Sequence, residues 1–325
     1  MTSLSELNDD IIRSMSVGAV FSDFGAKINS LDFHRTADLL VTTSDDDSVR
    51  LYDISTAKLL KTTYHKKHGA DRICFTHHPS SIICSSKNLD SNEESLRYLS
   101  TFDNRCLRYF KGHKERVVSL CMSPVNDGFM SGSLDHSVRM WDLRVNACHF
   151  QGILHLRGRP TVAYDQQGLV FAVAMEGGAI KLFDSRSYDK GPFDTFLVGG
   201  DTAEVCDIKF SNDGKSMLLT TTNNHVYLLD AYHGEKKRGF SSMDSSPNAT
   251  IEATFTPDGQ YVLYGSGDGN IRAWNISDEP NQVATLESYI GVPSCLRWAP
   301  RRVMFAAASS SVLTFWIPND GNAEG

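Results

Sequence analysis

The sequence lacks a long apolar run, a secretory leader pattern and a regular cysteine framework, and each absence excludes a class of protein. No apolar segment approaches the ~18 residues of a membrane helix, so we expect no transmembrane span. The segment Met1–Met15 carries acidic side chains where a secretory signal has basic ones before an apolar core. Seven cysteines lie scattered over 325 residues, which is not a disulfide pattern. We expect reduced thiols and a nuclear or cytosolic location.

The chain also has no excess of basic residues. Its net charge of −7 argues against a protein that mainly grips a nucleic-acid backbone, because such binding needs clustered positive charge. Charged residues make up 22% and apolar residues 41% of the chain, which is ordinary for a globular protein of one large domain or two smaller ones.

One stretch, Gly112–Arg144, is typical of a WD40 repeat, the four-stranded blade of a β-propeller. It opens with Gly112-His113 and closes with Trp141-Asp142, with 27 residues between the two pairs. A buried indole N–H needs an acceptor. We therefore predict a hydrogen-bonded chain from His113 and Asp135 through Ser131 to Trp141, a network that is stable only when every member is satisfied.

The same pattern recurs along the chain and predicts an all-β, seven-bladed WD40 propeller. From Tyr52 to Trp316 there are 264 residues over six repeat intervals, a mean of 44, close to the usual period of roughly 40–45. The seventh repeat ends after its third strand, and a spare strand at Gly18–Phe24 is expected to complete it and close the ring. The predicted organisation is a partly ordered lead-in (1–14), one propeller (15–318) and a short tail (319–325).

Ser131, His113 and Asp135 also have the composition of a hydrolase triad. Their spacing is that of the buried blade network, and no nucleophile-elbow glycine pattern surrounds Ser131. The structural interpretation is therefore preferred, and we predict that the protein is not an enzyme.

Two further motifs suggest bound groups. Cys74, His77, His78 and Cys84 could suggest zinc, but their spacing matches no standard structural site and both cysteines fall on adjacent predicted strands. Gly265–Gly269 resembles half of a nucleotide-binding loop but lacks the following helix, which favours a tight turn. We predict no metal and no cofactor.

Basic side chains cluster at several predicted loops. Most such clusters are solvated loop charge, but guanidinium and ammonium groups also form charge-assisted bonds to phosphorylated or acidic peptides. The sequence leaves both interpretations open. The candidates for partner or phosphate binding are Lys66, Lys67, Arg116, Arg157, Arg159, Lys236, Lys237 and Arg238.

Arg144 and Arg186 end two consecutive repeats as Trp-Asp-Leu-Arg and Phe-Asp-Ser-Arg. This arrangement resembles the motif by which propeller receptors dock on cullin-4 ubiquitin ligases. The alternative is that each arginine pairs with a neighbouring acid on the blade surface.

Segments beyond the repeat signature resemble one family, the WD-repeat subunits of COMPASS-type histone H3 lysine-4 methyltransferase complexes. The resemblance covers about residues 7–318, and two stretches, Gly152–Gly158 and Ala299–Arg302, are most similar to the plant branch of that family, which includes a factor that controls flowering time. The other segments that carry it are Tyr98–Asn104, Arg108–His113, Arg116–Val125, Ser131–Asp135, Trp141–Arg144, Lys190–Phe193, Phe210–Lys215 and Phe255–Asp258.

The resemblance implies a nuclear, non-catalytic adaptor, present as a single copy within hetero-complexes. Family members link the methyltransferase to RNA polymerase II whose C-terminal repeats are phosphorylated. They also occur in a protein phosphatase 1 module tied to cleavage, polyadenylation and transcription termination. The alternative function is a substrate receptor of a cullin-4 ligase, and neither function requires direct contact with nucleic acid or membrane.

Overall fold

A computed structural model describes residues 7–88, 95–145, 152–155, 158–198, 204–241, 251–277 and 281–319. The described strands form seven four-stranded antiparallel sheets, and each sheet is one blade of a propeller. The predicted seven-bladed, almost all-β fold is therefore confirmed. Within the described ranges, no helix has the length and apolarity to cross a bilayer.

Blades one to three are built from consecutive strands. The first strand of the chain, β1 (Met15–Phe21), precedes them and belongs to blade seven. The bounds of blades one to three are β2 (Ile28–Phe33), β3 (Leu39–Ser44), β4 (Ser48–Asp53), β5 (Lys58–Tyr64); β6 (Ile73–Phe75), β7 (Ser81–Ser85), β8 (Leu96–Ser100), β9 (Cys106–Phe110); β10 (Val117–Met122), β11 (Gly128–Ser133), β12 (Ser137–Asp142) and β13 (Gly152–His155).

Blades four to seven continue the pattern. Their bounds are β14 (Thr161–Tyr164), β15 (Val170–Ala174), β16 (Ala179–Asp184), β17 (Asp194–Leu197); β18 (Val205–Phe210), β19 (Ser216–Thr221), β20 (His225–Asp230), β21 (Lys236–Ser241); β22 (Ala253–Phe255), β23 (Tyr261–Gly265), β24 (Ile271–Asn275), β25 (Asn281–Leu286); β26 (Cys295–Trp298), β27 (Phe305–Ser309) and β28 (Val312–Pro318).

The turns between the second and third strands explain why these short runs become hairpins. Among the described turns, a left-handed residue lies here in six blades: Asp47, His136, Gly177, Asn224, Gly269 and Ser310, with φ of 64°, 61°, 75°, 63°, 90° and 49°. Asp, Asn and Gly adopt this conformation at low cost, so the sequence places them where the chain must reverse tightly.

The core lies between the blades rather than at one centre. Seven buried apolar clusters were found among the described residues, and each spans two neighbouring blades. Strand residues alternate between the two faces of a sheet, so one blade supplies side chains to both of its neighbours. The clusters therefore hold the blades together as a ring.

The ring closes through β1, which pairs antiparallel with β28 as the outer strand of blade seven. The predicted closing strand is confirmed, but it lies three residues earlier than Gly18–Phe24. The register shifts between Val17 and Ala19, so Gly18 is the extra residue of a β-bulge. A Cβ at Gly18 would lie 2.7 Å from Cδ1 of Ile317, so a larger residue there would require the exposed Ile317 side chain to move.

A helix, α1 (Asp9–Ser14), lies within the segment that the sequence analysis assigned to a partly ordered lead-in. The Asn8 side chain caps it by accepting a hydrogen bond from the Ile11 amide at 3.0 Å. Ile12 is fully buried in the cluster between blades six and seven, and the Tyr261 hydroxyl donates to Asp9 Oδ1 at 2.8 Å. These contacts attach the helix to the ring.

Candidate functional sites: the blade-three network and the central channel

The four residues of the Gly112–Arg144 stretch form one hydrogen-bonded chain. The Trp141 indole N–H donates to Ser131 Oγ at 2.8 Å, and Ser131 Oγ lies 2.7 Å from Nε2 of His113. Nδ1 of His113 lies 2.9 Å from Asp135 Oδ2. Asp135 also accepts from the Lys114 amide at 2.9 Å and from the Ser137 hydroxyl at 2.6 Å.

The electrostatics of the network favour a neutral imidazole beside a carboxylate. Burial lowers the pKa of His113, and the hydrogen bond to Asp135 and the negative charge of that carboxylate offset this lowering only in part. Burial opposes ionisation of Asp135, but hydrogen bonds from His113 and Ser137 hold its pKa well below the usual value. A consistent assignment has Nδ1–H of His113 donating to Asp135 while Nε2 accepts the Ser131 hydroxyl proton.

This geometry accounts for the resemblance to a hydrolase triad without a catalytic role. Ser131 and His113 are fully buried, and Trp141 is 2% exposed. A nucleophile must reach a substrate carbonyl, whereas Ser131 Oγ is already engaged by the indole and the imidazole. The arrangement provides a hydrogen-bond acceptor for the buried indole N–H of Trp141.

The zinc alternative is not supported by the positions of its cysteines. Cys74 packs in the cluster between blades two and three, whereas Cys84 packs in the cluster between blades one and two. The two thiols therefore face opposite sides of the same sheet. Among the described residues, no group of three or more His, Cys, Asp or Glu side chains is arranged to hold a metal ion.

The inner strands of all seven blades surround a central channel of about 750 Å³. Corresponding strands of a propeller run in the same direction, so all seven inner strands begin at the same end of the channel. We call that end the upper mouth. A smaller cavity of about 200 Å³ lies there, and residues at the beginnings of these strands line it.

The side chains at the upper mouth are divided by charge. Blades one to four place a basic residue just before the inner strand, and blades five and six place an acidic one there. In blade order these residues are Lys27, Arg72, Arg116, Arg159, Glu204 and Glu252, followed by Ser294 of blade seven. The mouth is therefore basic along one arc and acidic along the next.

Arg116, a sequence candidate for phosphate binding, is held by an acid of the neighbouring blade. Its Nε and Nη2 atoms donate to Asp71 Oδ2 and Oδ1 at 2.5 and 3.1 Å. Asp71 is 1% exposed, and its bonds raise the pKa of Arg116. A buried carboxylate needs such a partner, so this bidentate pair joins blades two and three.

Arg159, another candidate, lies at the same mouth but is not paired with an acid as Arg116 is. Nε of Arg159 and Nε of Arg72 are both buried and have no hydrogen-bond partner among the described residues. Burial, followed by the charge of Arg72, lowers the pKa of Arg159. Arg72 was not a candidate from the sequence, because a lone arginine before a strand carries no local motif.

The other basic candidates lie away from the channel. Lys66 and Lys67 are exposed in the turn after β5. Lys236, Lys237 and Arg238 lie on β21, so their predicted loop position is wrong. There Lys237 Nζ is 3.2 Å from Asp230 Oδ2, and Arg238 stacks 4.2 Å above the Trp274 ring. Arg157 lies outside the described residues.

Arg144 and Arg186 each pair with the acid of their own repeat. Arg144 Nη2 lies 2.7 Å from Asp142 Oδ2, and Arg186 Nη2 lies 3.1 Å from Asp184 Oδ2. Both arginines remain largely exposed, at 71% and 74%. Pairing with a neighbouring acid is the blade-surface alternative, so ligase docking stays a prediction without further support from these contacts.

The family model for the WD domain, G-beta repeat, matches residues 17–53, 104–142 and 236–275. Each match begins in or just before the outer strand of one blade and ends with the third strand of the next. The first match starts in β1, so the N-terminal strand serves as the outer strand that precedes blade one. A sequence repeat is thus shared between two blades.

Relatives match along nearly the whole chain. Anthesis promoting factor 1 of Arabidopsis thaliana is 76% identical over 99% of this chain and 96% of its own length. WD repeat-containing protein 82 of Drosophila melanogaster is 41% identical over 96% and 97% of the two chains. COMPASS component SWD2 of Saccharomyces cerevisiae is 34% identical over 88% and 89%. The resemblance indicated by the sequence motifs is confirmed.

Proposed function

The chain belongs to the WD40 family that includes COMPASS component SWD2 and WD repeat-containing protein 82, and from this membership we propose a non-catalytic adaptor of a histone H3 lysine-4 methyltransferase complex. The observation that carries the proposal is the alignment over at least 88% of this chain with a relative that is named for such a complex. An alignment of that extent spans most of the propeller rather than a single repeat, so the likeness goes beyond the repeat signature.

The geometry supports the non-catalytic part of the proposal. The one Ser-His-Asp arrangement singled out in the sequence is buried around Trp141. Two acids that line the channel, Asp71 and Asp207, are paired with Arg116 and Lys209. A rigid ring with several faces is suited to holding more than one protein at once.

The finer proposal concerns partners and location. We propose that the protein acts in the nucleus and links the methyltransferase to RNA polymerase II with phosphorylated C-terminal repeats, with a second pool in a protein phosphatase 1 termination module. The relative with 76% identity is named an anthesis promoting factor, so the proposal extends to control of flowering time in a plant. Loss of the gene should then delay flowering.

Affinity purification of the tagged chain from nuclei tests the adaptor proposal. Mass spectrometry is expected to recover methyltransferase subunits, and phosphatase-module subunits should form a second group. Recovery of neither group would contradict the proposal. A variant with Arg144→Ala and Arg186→Ala is the matched control: it should retain these partners, whereas loss of a co-purifying cullin-4 adaptor would favour the ligase function.

A binding assay with polymerase C-terminal repeat peptides, phosphorylated and unphosphorylated, tests the finer proposal. Selective binding of a phosphorylated peptide to the purified chain would support direct recognition. Equal binding, or none, would mean that other subunits of the complex make the link to the polymerase.

A further inference from the structure

Two arginines at the upper mouth have no hydrogen-bond partner among the described residues for their buried Nε atoms. Arg72 and Arg159 are each partly buried, and the Nε atom of each is fully buried without a hydrogen bond to a described residue. A buried donor without a partner costs free energy, and two such donors of the same charge near each other also repel. An anion between them would remove both costs.

Arg116, at the same mouth, has hydrogen-bond acceptors for its guanidinium group within the protein. Its guanidinium is held by Asp71 from the neighbouring blade through two hydrogen bonds. Arg72 directly follows Asp71 in the chain, yet it has no such pair. Unlike Arg116, therefore, Arg72 and Arg159 retain N–H donors that could bind an anionic ligand.

The shape and charge of the mouth restrict what that group can be. The cavity of about 200 Å³ holds a single phosphoryl or carboxylate group with its waters, not a folded element. Asp71, Asp207 and Glu252 also line this cavity, and Glu204 lies near Arg159. These carboxylates disfavour a ligand that carries several anionic groups. A nucleic-acid strand carries a phosphate at every nucleotide, so this arrangement and the net charge of −7 disfavour it.

We propose that the upper mouth of the channel binds the phosphate or carboxylate of a phosphorylated or acidic side chain on a peptide partner, with Arg72 and Arg159 as its ligands. Arg116 is a positioning residue that holds blades two and three together beside the site. The acidic arc favours a partner with a basic group next to the anion. This inference deepens the proposed function and rests on it for the choice of a phosphorylated peptide as the partner. The purified chain tests the site separately from membership of any complex, so the site can fail while the adaptor proposal stands.

Thermal unfolding with inorganic phosphate tests the site directly. The midpoint of the wild-type chain should rise saturably with phosphate, compared with chloride at equal ionic strength, because ligand binding to the native state stabilises it. The variant Arg72→Gln/Arg159→Gln should lose this rise. Lys58→Gln/Arg105→Gln removes the same charge at exposed positions of blades one and two and should keep it. Retention of the rise in the first variant would overturn the proposal.

Fluorescence anisotropy with labelled peptides separates the sources of the anion. The probes are a glycine-serine host peptide with one phosphoserine, the same peptide with glutamate or unmodified serine, and an oligothymidylate. The phosphoserine and glutamate peptides should bind the wild type and weaken about tenfold or more in Arg72→Gln/Arg159→Gln, since two charge-assisted bonds are lost. Oligothymidylate binding as tight as phosphopeptide binding would overturn the peptide assignment.

Two further measurements distinguish a binding role from a structural one. Without added anion, Arg72→Gln/Arg159→Gln should unfold at the same temperature as the wild type or higher, because the repulsion is removed. A lower midpoint would mean that the guanidinium groups are already satisfied internally and would contradict the site. Glu204→Gln should strengthen phosphate binding by removing a neighbouring negative charge, an effect that misfolding does not produce.

Discussion

Blades three and seven bury a tryptophan at the same place in the third strand and satisfy it differently. Trp141 and Trp316 are each 2% exposed. The Trp141 N–H donates into a chain of three further side chains that ends at Asp135. The Trp316 N–H donates to Thr314 Oγ1 at 3.0 Å, and that hydroxyl donates to the Ala307 carbonyl at 3.1 Å.

The comparison separates two sources of blade stability. Blade three is assembled from consecutive strands and includes titratable groups in its network. Blade seven needs no charged side chain for its tryptophan, but it obtains its outer strand, β1, from the other end of the sequence. A side-chain hydroxyl accepts the indole N–H in both of these blades.

The largest effect is expected when the pairing of β1 with β28 in blade seven is removed. Deletion of residues 1–21 removes β1 and α1, which leaves β28 with an unpaired edge and exposes part of the cluster around Trp316. We expect loss of cooperative thermal unfolding and self-association by size-exclusion chromatography. A truncated chain that stays monomeric and melts like the full-length chain would contradict the role of β1 in closure.

Trp141→Ala should have the next largest effect. It removes a large buried side chain that packs against Phe110 and Phe129, so the free energy of unfolding should fall by about 3–5 kcal/mol. Trp316→Ala should cost a similar amount, because packing dominates in both blades. Urea unfolding measures both, and an unchanged midpoint for either variant would refute the burial of that tryptophan.

Loss of the terminal acceptor should distinguish the two blades. Asp135→Ala leaves donors from His113, Lys114 and Ser137 without their partner, at about 1–3 kcal/mol for each donor that stays buried. Thr314→Val removes one acceptor and leaves a single indole donor unpaired, so its cost should be smaller. Equal costs in urea unfolding would mean that the longer network adds nothing.

Acid should weaken blade three through His113. The pKa of folded His113 lies below its ordinary value of about 6.5, so the unfolded chain takes up a proton first as pH falls. The contribution of His113 is complete above pH ~6.5 and is lost as the pH falls towards the lowered folded value. His113→Gln should flatten the decline in unfolding free energy over this range. A variant with an unchanged slope would assign the decline to other groups.

The smallest effect should come from the exposed arginines. Arg144→Ala and Arg186→Ala each remove a solvent-exposed ion pair, which contributes little to stability. Thermal midpoints should stay close to that of the wild type. A large drop would show that these pairs support the blade structurally and would make the two variants unsuitable as probes of docking.

The sequence was sufficient for the features that depend on local spacing. His113, Ser131, Asp135 and Trp141 all lie within one repeat, so their network could be predicted before any coordinates. The closing strand could be predicted because blade seven lacked a fourth strand. Helix α1 was missed, since six residues are too few to show helical periodicity.

The charged ring at the channel mouth could not be read from the sequence in advance. Arg72 and Glu204 are separated by more than a hundred residues and meet only because each directly precedes an inner strand. A candidate search by local clustering therefore found Arg159 through its neighbour Arg157 but not Arg72. The loop position predicted for Lys236–Arg238 was wrong for a different reason. Consecutive basic side chains are typical of exposed loops, and this composition concealed the outer strand β21.

The pairing of β1 with β28 also has a consequence for how the chain is made. Residues such as Phe21 and Leu313 pair across almost the entire sequence, so β1 leaves the ribosome long before its partner exists. At roughly 5–20 residues per second, translation of the intervening segment of about 300 residues takes on the order of 15–60 s. During that interval the strand edge and the apolar face of β1 are without their partner, which makes the nascent chain a natural client for chaperones until the last strand emerges.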